Sequence, residues 1–311
     1  MVLVTGGTGF LGRAVIRQLS RSDHQVRILM RPSRRSPELP AGIPVEAAIS
    51  SLLDKRGVRA AMVGVDNIVH LAGAERGGLE TGLRAVDIEG TRVLVEAARQ
   101  AQISRLIYVS HLGAEPSSAF PALRAKAKAE DTIRKSGLPY TIVRSSLVYG
   151  EGDRFTSSLA MLLGISPGIF PIPGDGRTAI QPVWVDDLAM CVAWSLDEQA
   201  MIGQIYDVGG PEFLTLRQVV EMVMQATGSR RWLVSASPLY LRGITWLFQR
   251  VLPYPPLTTF WFDYLASSRT ASLDALPRIF GLKPSMMIDR LQYLEERNWL
   301  LEFVGRQLKW T

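Results

Sequence analysis

The feature that most constrains this chain is Gly6-x-x-Gly9-x-x-Gly12, which follows the apolar run Val2, Leu3, Val4 and opens a helical pattern over residues 10–20. Glycines at that spacing permit a tight turn, close approach of the backbone to a pyrophosphate, and packing of the helix against the strand. The phosphates then face the unpaired N–H groups at the helix N-terminus. With a strand before it and a helix after it, the motif opens a dinucleotide-binding unit. Gly6, Thr8, Gly9, Phe10, Leu11 and Gly12 are the candidate cradle.

Residues 1–150 keep that alternation. Apolar runs at Val2–Val4, Val26–Met30, Asn67–Ala72, Leu106–Ser110 and Tyr140–Arg144 predict strands, and helical patterns fall near 10–20, 52–63, 87–101 and 123–136. Strands alternating with helices imply an α/β fold with a doubly wound parallel sheet covered on both faces. The continuous run Ile68-Val69-His70-Leu71-Ala72 suits a strand buried on both sides. After Gly150 the pattern loosens into Gly/Pro-rich loops, then predicts a helix over 186–197, a strand over 205–208 and a helix over 216–227.

The nucleotide is read at the end of the second strand. An NAD site there places an acid on the ribose 2′-hydroxyl, whereas a 2′-phosphate needs a cation. The chain carries no acid in Val26–Arg35, and Arg31, Arg34 and Arg35 arrive instead. Their planar donor forks suit phosphate, so NADP(H) is the expected cofactor, with Arg31 foremost. The formal charge of +6 is local: residues 1–35 hold seven arginines against Asp23, and the remaining chain balances. A charge confined to one end speaks for one small anion over a nucleic acid, whose phosphates are tracked along an extended surface.

The GGTGFLG form of the first motif resembles the extended and atypical short-chain dehydrogenase/reductase superfamily. Asn67-Ile-Val-His-Leu-Ala-Gly73, Asp87-Ile-Glu-Gly-Thr91, Leu106-Ile-Tyr-Val-Ser110 and Val183-Trp-Val-Asp-Asp187-Leu-Ala carry the resemblance to about residue 210. It implies a Rossmann domain over 1–150, partly completed by 177–210, and a small C-terminal substrate or docking lobe over 151–311. It also carries cofactor contacts onto Ala48, Leu71, Ala72 and Gly73.

Members of this superfamily are implied to use a Ser, a Tyr and a Lys four residues after that Tyr, the Lys lowering the phenol's pKa and holding the nicotinamide ribose. Ser110 matches the Ser. Lys126 is the best-placed Lys, with Glu130 following it at helical spacing. Four residues before it stands Ala122, and if Lys128 is taken instead the counterpart is Arg124, so the usual proton donor is absent in either register. His111 and Tyr149 are the substitutes on offer, His111 reading more simply as a hydrogen-bonding loop histidine.

A narrower resemblance rests on Val109-Ser110-His111-Leu112-Gly113-Ala114, on Leu123–Glu130, on Tyr149-Gly-Glu-Gly-Asp153-Arg154-Phe155, and on Ser267-Ser-Arg-Thr with Phe280-Gly-Leu-Lys-Pro284. These are similar to the NADPH-binding accessory subunit of respiratory complex I and its bacterial and plastid relatives. That resemblance implies tight NADPH binding for structure, assembly or redox sensing, linked to a membrane respiratory or quinone system. Two functions stay open: a non-turnover NADP(H) protein, or an NADP-dependent oxidoreductase or epimerase on an apolar, quinone-like or nucleotide-sugar substrate, using Ser110 and Lys126.

Residues 240–264 hold eight of the 25 aromatics. Tyr240, Leu241, Ile244, Leu247, Phe248 and Val251 form one helical stripe, and such stripes are usually core. Segment 238–265 is therefore expected to pack on the lobe, the alternative being a membrane surface or a membrane-complex partner. No run reaches the ~18–20 apolar residues of a spanning helix, and no leader is visible, so the expected location is cytoplasmic, with that segment as the peripheral contact. Cys191 reads as core, Asp186 and Asp187 as a helix start, and His24, His70 and His111 show no metal-ligand spacing.

Overall fold

In the computed structural model the described residues are 1–33, 39, 42–74 and 80–308. Arg34 and Arg35 lie outside them. The chain forms two compact units, the first from Met1–Ser145, Val185–Val208 and Ala275–Leu282, the second from Ser146–Trp184, Gly209–Asp274 and Lys283 onward.

The first unit starts with β1 (Val2–Thr5), α1 (Phe10–Arg21), β2 (Val26–Met30), β3 (Glu46–Ile49), α2 (Lys55–Ala61) and β4 (Asn67–His70). It continues through α3 (Glu80–Gly82), a π-helical segment Leu83–Gly90, α4 (Thr91–Gln100), β5 (Arg105–His111), α5 (Pro121–Arg134) and β6 (Tyr140–Ser145). The second unit begins with β7 (Val148–Tyr149), α6 (Thr156–Ile165), β8 (Ile169–Pro173), β9 (Ala179–Ile180) and β10 (Val183–Trp184). The chain then rejoins the first unit for α7 (Val185–Asp197) and β11 (Gln204–Val208).

Seven strands make one sheet in the order β3-β2-β1-β4-β5-β6-β11, every neighbouring pair parallel. The winding reverses between β1 and β4, and the crevice beyond the carboxyl ends of those two strands is where such sheets bind ligands. Leu3, Leu29, Ile68, Leu106, Tyr108 and Ile142 are buried in one cluster with residues of α2, α4 and α5. Each fully buried aliphatic side chain there contributes about 1.5–3 kcal/mol. Arg17 of α1 pairs with Asp186 of α7 at 3.2 Å, and His24, in the turn after α1, lies 3.3 Å from Asp197 at the end of α7.

The predicted strands and helices are present, with two differences. β3 went unpredicted because Glu46-Ala-Ala-Ile49 has neither alternation nor a β-branched run; its pairing with β2 and the Arg27–Glu46 bridge at 2.7 Å hold it at the sheet edge. The pattern over 52–63 yields only Lys55–Ala61, because the Asp54 carboxylate accepts the Arg56 N–H and starts the helix there.

The rest of the second unit comprises β12 (Leu214–Thr215), α8 (Leu216–Ala226), β13 (Trp232–Ala236), α9 (Pro238–Val251) and α10 (Thr259–Leu265), then, after α11 (Ala275–Phe280) in the first unit, α12 (Trp299–Leu308). Its sheets are two-stranded, β7 with β10, β8 with β13 and β9 with β12. Thr215 and Gln218 form a reciprocal capping box at α8.

Candidate functional site

The glycine turn has the geometry its spacing predicts. Gly6 sits at φ +72°, and a Cβ there would come 2.8 Å from the Ala72 backbone nitrogen. A Cβ on Gly12 would meet the Gly6 carbonyl oxygen at 2.2 Å. The loop after β1 is thus pressed on both the loop after β4 and the first turn of α1, which only glycine allows. Gly9 is the N-cap of α1, without a side-chain cap, and no acid stands in the first turn. The first N–H groups of an α-helix have no intrahelical partner, and Arg13 braces the turn by donating to the Thr8 carbonyl at 3.2 Å. A cradle that side chains would fill, an uncapped helix start and no nearby acid fit a pyrophosphate.

Around this turn the structure arranges the other predicted residues. Leu71 and Ala72 are half-buried and Gly73 is exposed, directly after β4. Arg31 is exposed, one residue beyond β2. Ala48 is half-buried on β3, opposite Leu29 and packed against the core cluster. Ser110 is buried on β5, and its hydroxyl has no hydrogen-bond partner among the described residues.

Lys126 projects from the buried face of α5, with Ala122 one turn before it, also buried. Its ammonium lies 3.1 Å from the Asp87 carboxylate, both side chains out of solvent. Glu130 does not serve Lys126: it receives a bidentate fork from Arg144 of β6, with contacts from 2.6 to 3.2 Å. The guanidinium faces α5 from the neighbouring strand, and burial favours the fork–fork pairing.

Sequence reasoning missed a buried chain of hydrogen bonds that fixes this region. Thr91 donates its hydroxyl to the Asp87 carbonyl at 2.6 Å, so toward His70, 2.9 Å away, its oxygen accepts and His70 carries the proton on Nε2. His70 Nδ1 then accepts from the Thr5 hydroxyl at 2.6 Å, and Thr5 accepts the Ala72 N–H at 3.3 Å. The second oxygen of Asp87 accepts the Ala74 N–H at 2.9 Å. His70 stacks on Tyr108, with centroids 5.3 Å apart, and the Lys126 ammonium lies 5.4 Å from the centre of that ring. The loop after β4 and the π-helical segment are therefore bolted to β1. The signal was present in Asp87 and Thr91 at i, i+4 and in a histidine inside an apolar strand, but their partners are distant in sequence.

Burial, and then the Lys126 ammonium, hold the His70 imidazole down to about 3. A histidine depressed in the folded state leaves the unfolded chain binding the extra proton between about pH 6.5 and 3, so stability falls as pH drops through that window. The expected loss from this group is roughly 3 kcal/mol between pH 6.5 and 4. Urea-denaturation midpoints of wild type and His70→Gln measured across that range would show a flatter profile in the variant; parallel profiles refute the assignment.

In the second unit the expectation that the 238–265 stripe is core holds for α10 and fails for α9. Phe260, Trp261 and Tyr264 are buried, but Tyr240 is 69% exposed, Leu247 53% and Val251 68%. A helical stripe records amphipathicity and cannot say whether another element covers it. Arg250 stacks over Trp246 at 4.1 Å on the same helix. Among the described residues no helix is long and apolar enough to cross a membrane, and no group of three His, Cys, Asp or Glu could hold a metal ion. Cys191 is buried, and burial pushes its thiol well above the usual range. Tyr149, the other offered proton donor, is buried against Trp184, and His111 ends β5 half-buried. Asp186 and Asp187 occupy the first turn of α7.

The family model described as NAD(P)H-binding matches residues 6–156. "NADH dehydrogenase [ubiquinone] 1 alpha subcomplex subunit 9, mitochondrial" of Arabidopsis thaliana is 31% identical over 71% of this chain, which spans 56% of that protein. "Sterol demethylase protein B" of Methylococcus capsulatus is 30% identical over 79% of this chain and 80% of its own length. "2-alkyl-3-oxoalkanoate reductase" of Stenotrophomonas maltophilia is 28% identical over 93% of this chain and 96% of its own.

Proposed function

Because the chain belongs to the atypical branch of the NAD(P)-binding short-chain dehydrogenase/reductase superfamily, we propose that it binds NADP(H) as a structural or redox-sensing ligand in a membrane respiratory or quinone system. The observation that carries this reading is the missing proton donor. One turn before Lys126 the buried face of α5 presents the methyl of Ala122 where the superfamily's phenol is expected, and a methyl group transfers no proton. The Lys126 charge is met by Asp87 at 3.1 Å.

The Gly6–Gly12 turn and the start of α1 would hold the pyrophosphate, and Leu71–Gly73 would line the nucleotide. Arg31, at the end of β2 with no acid beside it in Val26–Pro32, would meet the 2′-phosphate. When bound, the group supplies a hydride donor or acceptor. The exposed apolar face of α9, with Arg242 and Arg250 on the same helix, suits a membrane surface or a membrane-bound partner. The likeness to the Arabidopsis complex I subunit supports that setting.

One observation favours turnover instead. The buried Ser110 hydroxyl has no hydrogen-bond partner among the described residues, as a group awaiting a substrate oxygen would have none, and the likeness to the Stenotrophomonas reductase spans nearly the whole chain. The two readings separate in one experiment. Purified protein is titrated with NADPH and NADH, then mixed, loaded with NADPH, with quinones and nucleotide-sugars. The expected result is tighter NADPH binding, weakened at least tenfold by Arg31→Ala, with no oxidation of the cofactor. Steady oxidation would overturn the structural-ligand reading, and equal affinities would overturn the choice of NADP(H).

A further inference from the structure

The second unit contains an open-mouthed cavity of about 240 Å³ lined by residues of α6, β8, α8, α9 and α10. Leu159, Phe170, Val220, Ile244 and Trp261 are among its walls, and among the described residues no charged side chain lines it. Its polar side chains are Ser166, whose hydroxyl is spent on the Ile169 carbonyl, and Thr245. A water molecule needs two to four polar partners, so a cavity lined in this way holds water poorly and favours apolar ligands. Phe248 and Ile165 line it while remaining 46% and 39% exposed, which marks its mouth. Phe248 lies on α9, the helix whose outer face is apolar and aromatic.

We propose that this cavity binds the apolar chain of an amphiphile, of the acyl or isoprenoid type, with its polar end left at the mouth beside α9. An apolar cavity of about 150 Å³ accepts a benzene-sized guest, so this one holds about ten carbons. The site lies wholly within the second unit and does not rest on nucleotide binding. Its failure would leave the cofactor reading standing.

The test is calorimetric titration of the full, nucleotide-free chain with primary alcohols from four to sixteen carbons, and with geraniol. Affinity is expected to rise about fourfold for each buried methylene until about ten carbons, then level off. Tighter binding of decanol assigns an acyl-type chain, and tighter binding of geraniol an isoprenoid one. Val220→Trp, which fills the cavity from α8, and Ile244→Trp, which fills it from α9, are each expected to weaken decanol at least tenfold while circular dichroism stays native. Affinity independent of chain length, or decanol binding unchanged in a natively folded filled variant, would overturn the proposal.

Discussion

Gly12→Val is expected to weaken nucleotide binding about 100-fold while the rest of the fold persists. The argument rests on contact with backbone, which cannot swing aside. A Cβ at this position stands 2.2 Å from the Gly6 carbonyl oxygen and 2.6 Å from Gly7 Cα. Relief requires α1 to lift off the turn, and that displaces the first helical N–H groups from the position a pyrophosphate would occupy. Overpacking of this kind costs on the order of 3 kcal/mol, which charged to binding alone is about 100-fold in affinity. Gly305→Val is the control, because Gly305, like Gly12, lies within a helix and has no positive φ, but has open space around it. Fluorescence titration with NADPH should show near-normal affinity for the control and an affinity weakened about 100-fold for Gly12→Val. Ordinary affinity in Gly12→Val would remove the turn from the cofactor site.

Lys126→Met is the second large effect, and it reads on stability. The ammonium and the Asp87 carboxylate are both buried and 3.1 Å apart. Removing one partner strands the other charge away from water, an expected loss of about 3–5 kcal/mol. Asp87→Leu should cost a similar amount by stranding the lysine. The double variant should recover most of that loss, since replacing a buried ion pair by apolar groups of similar volume is often neutral. Urea denaturation of the four proteins gives the coupling directly. Additive losses would show that the two charges do not depend on one another, and the ion pair would then be incidental to the site.

How much of this was legible in the sequence can be judged residue by residue. The Gly6–Gly12 turn was, because positive φ and close backbone approach are demands on a single residue type at fixed spacing. So were α1, β2 and β6, whose apolar periods match their burial. The missing phenol was visible as Ala122 four residues before Lys126. The partner of Lys126 was not: Glu130 at helical spacing was the local candidate, yet Arg144 holds Glu130 and Asp87 holds Lys126. Asp87 and Thr91 stand at i, i+4 and both face inward, fully buried, but their partners Lys126 and His70 lie far away in the sequence, so nothing local marked the pairing. The α9 stripe misled for the opposite reason, as its period was right but its cover is partial: Leu241 and Ile244 are half-buried at the cavity, while Tyr240, Leu247 and Val251 are exposed.

What the sequence determined by itself was therefore local: the glycine turn, the order of strands and helices that closes into a parallel sheet, and the arginine after β2 where an acid would mark NAD. These follow from backbone sterics and side-chain period, which act over a few residues. The tertiary structure alone decided which ionic partners are buried together, that His70 is neutral with its proton on Nε2, that α9 is bare on one face, and that the second unit holds an apolar cavity. Each of those depends on the register of strands or the packing of helices far apart in the chain, and burial, unlike backbone conformation, is a property of the neighbours.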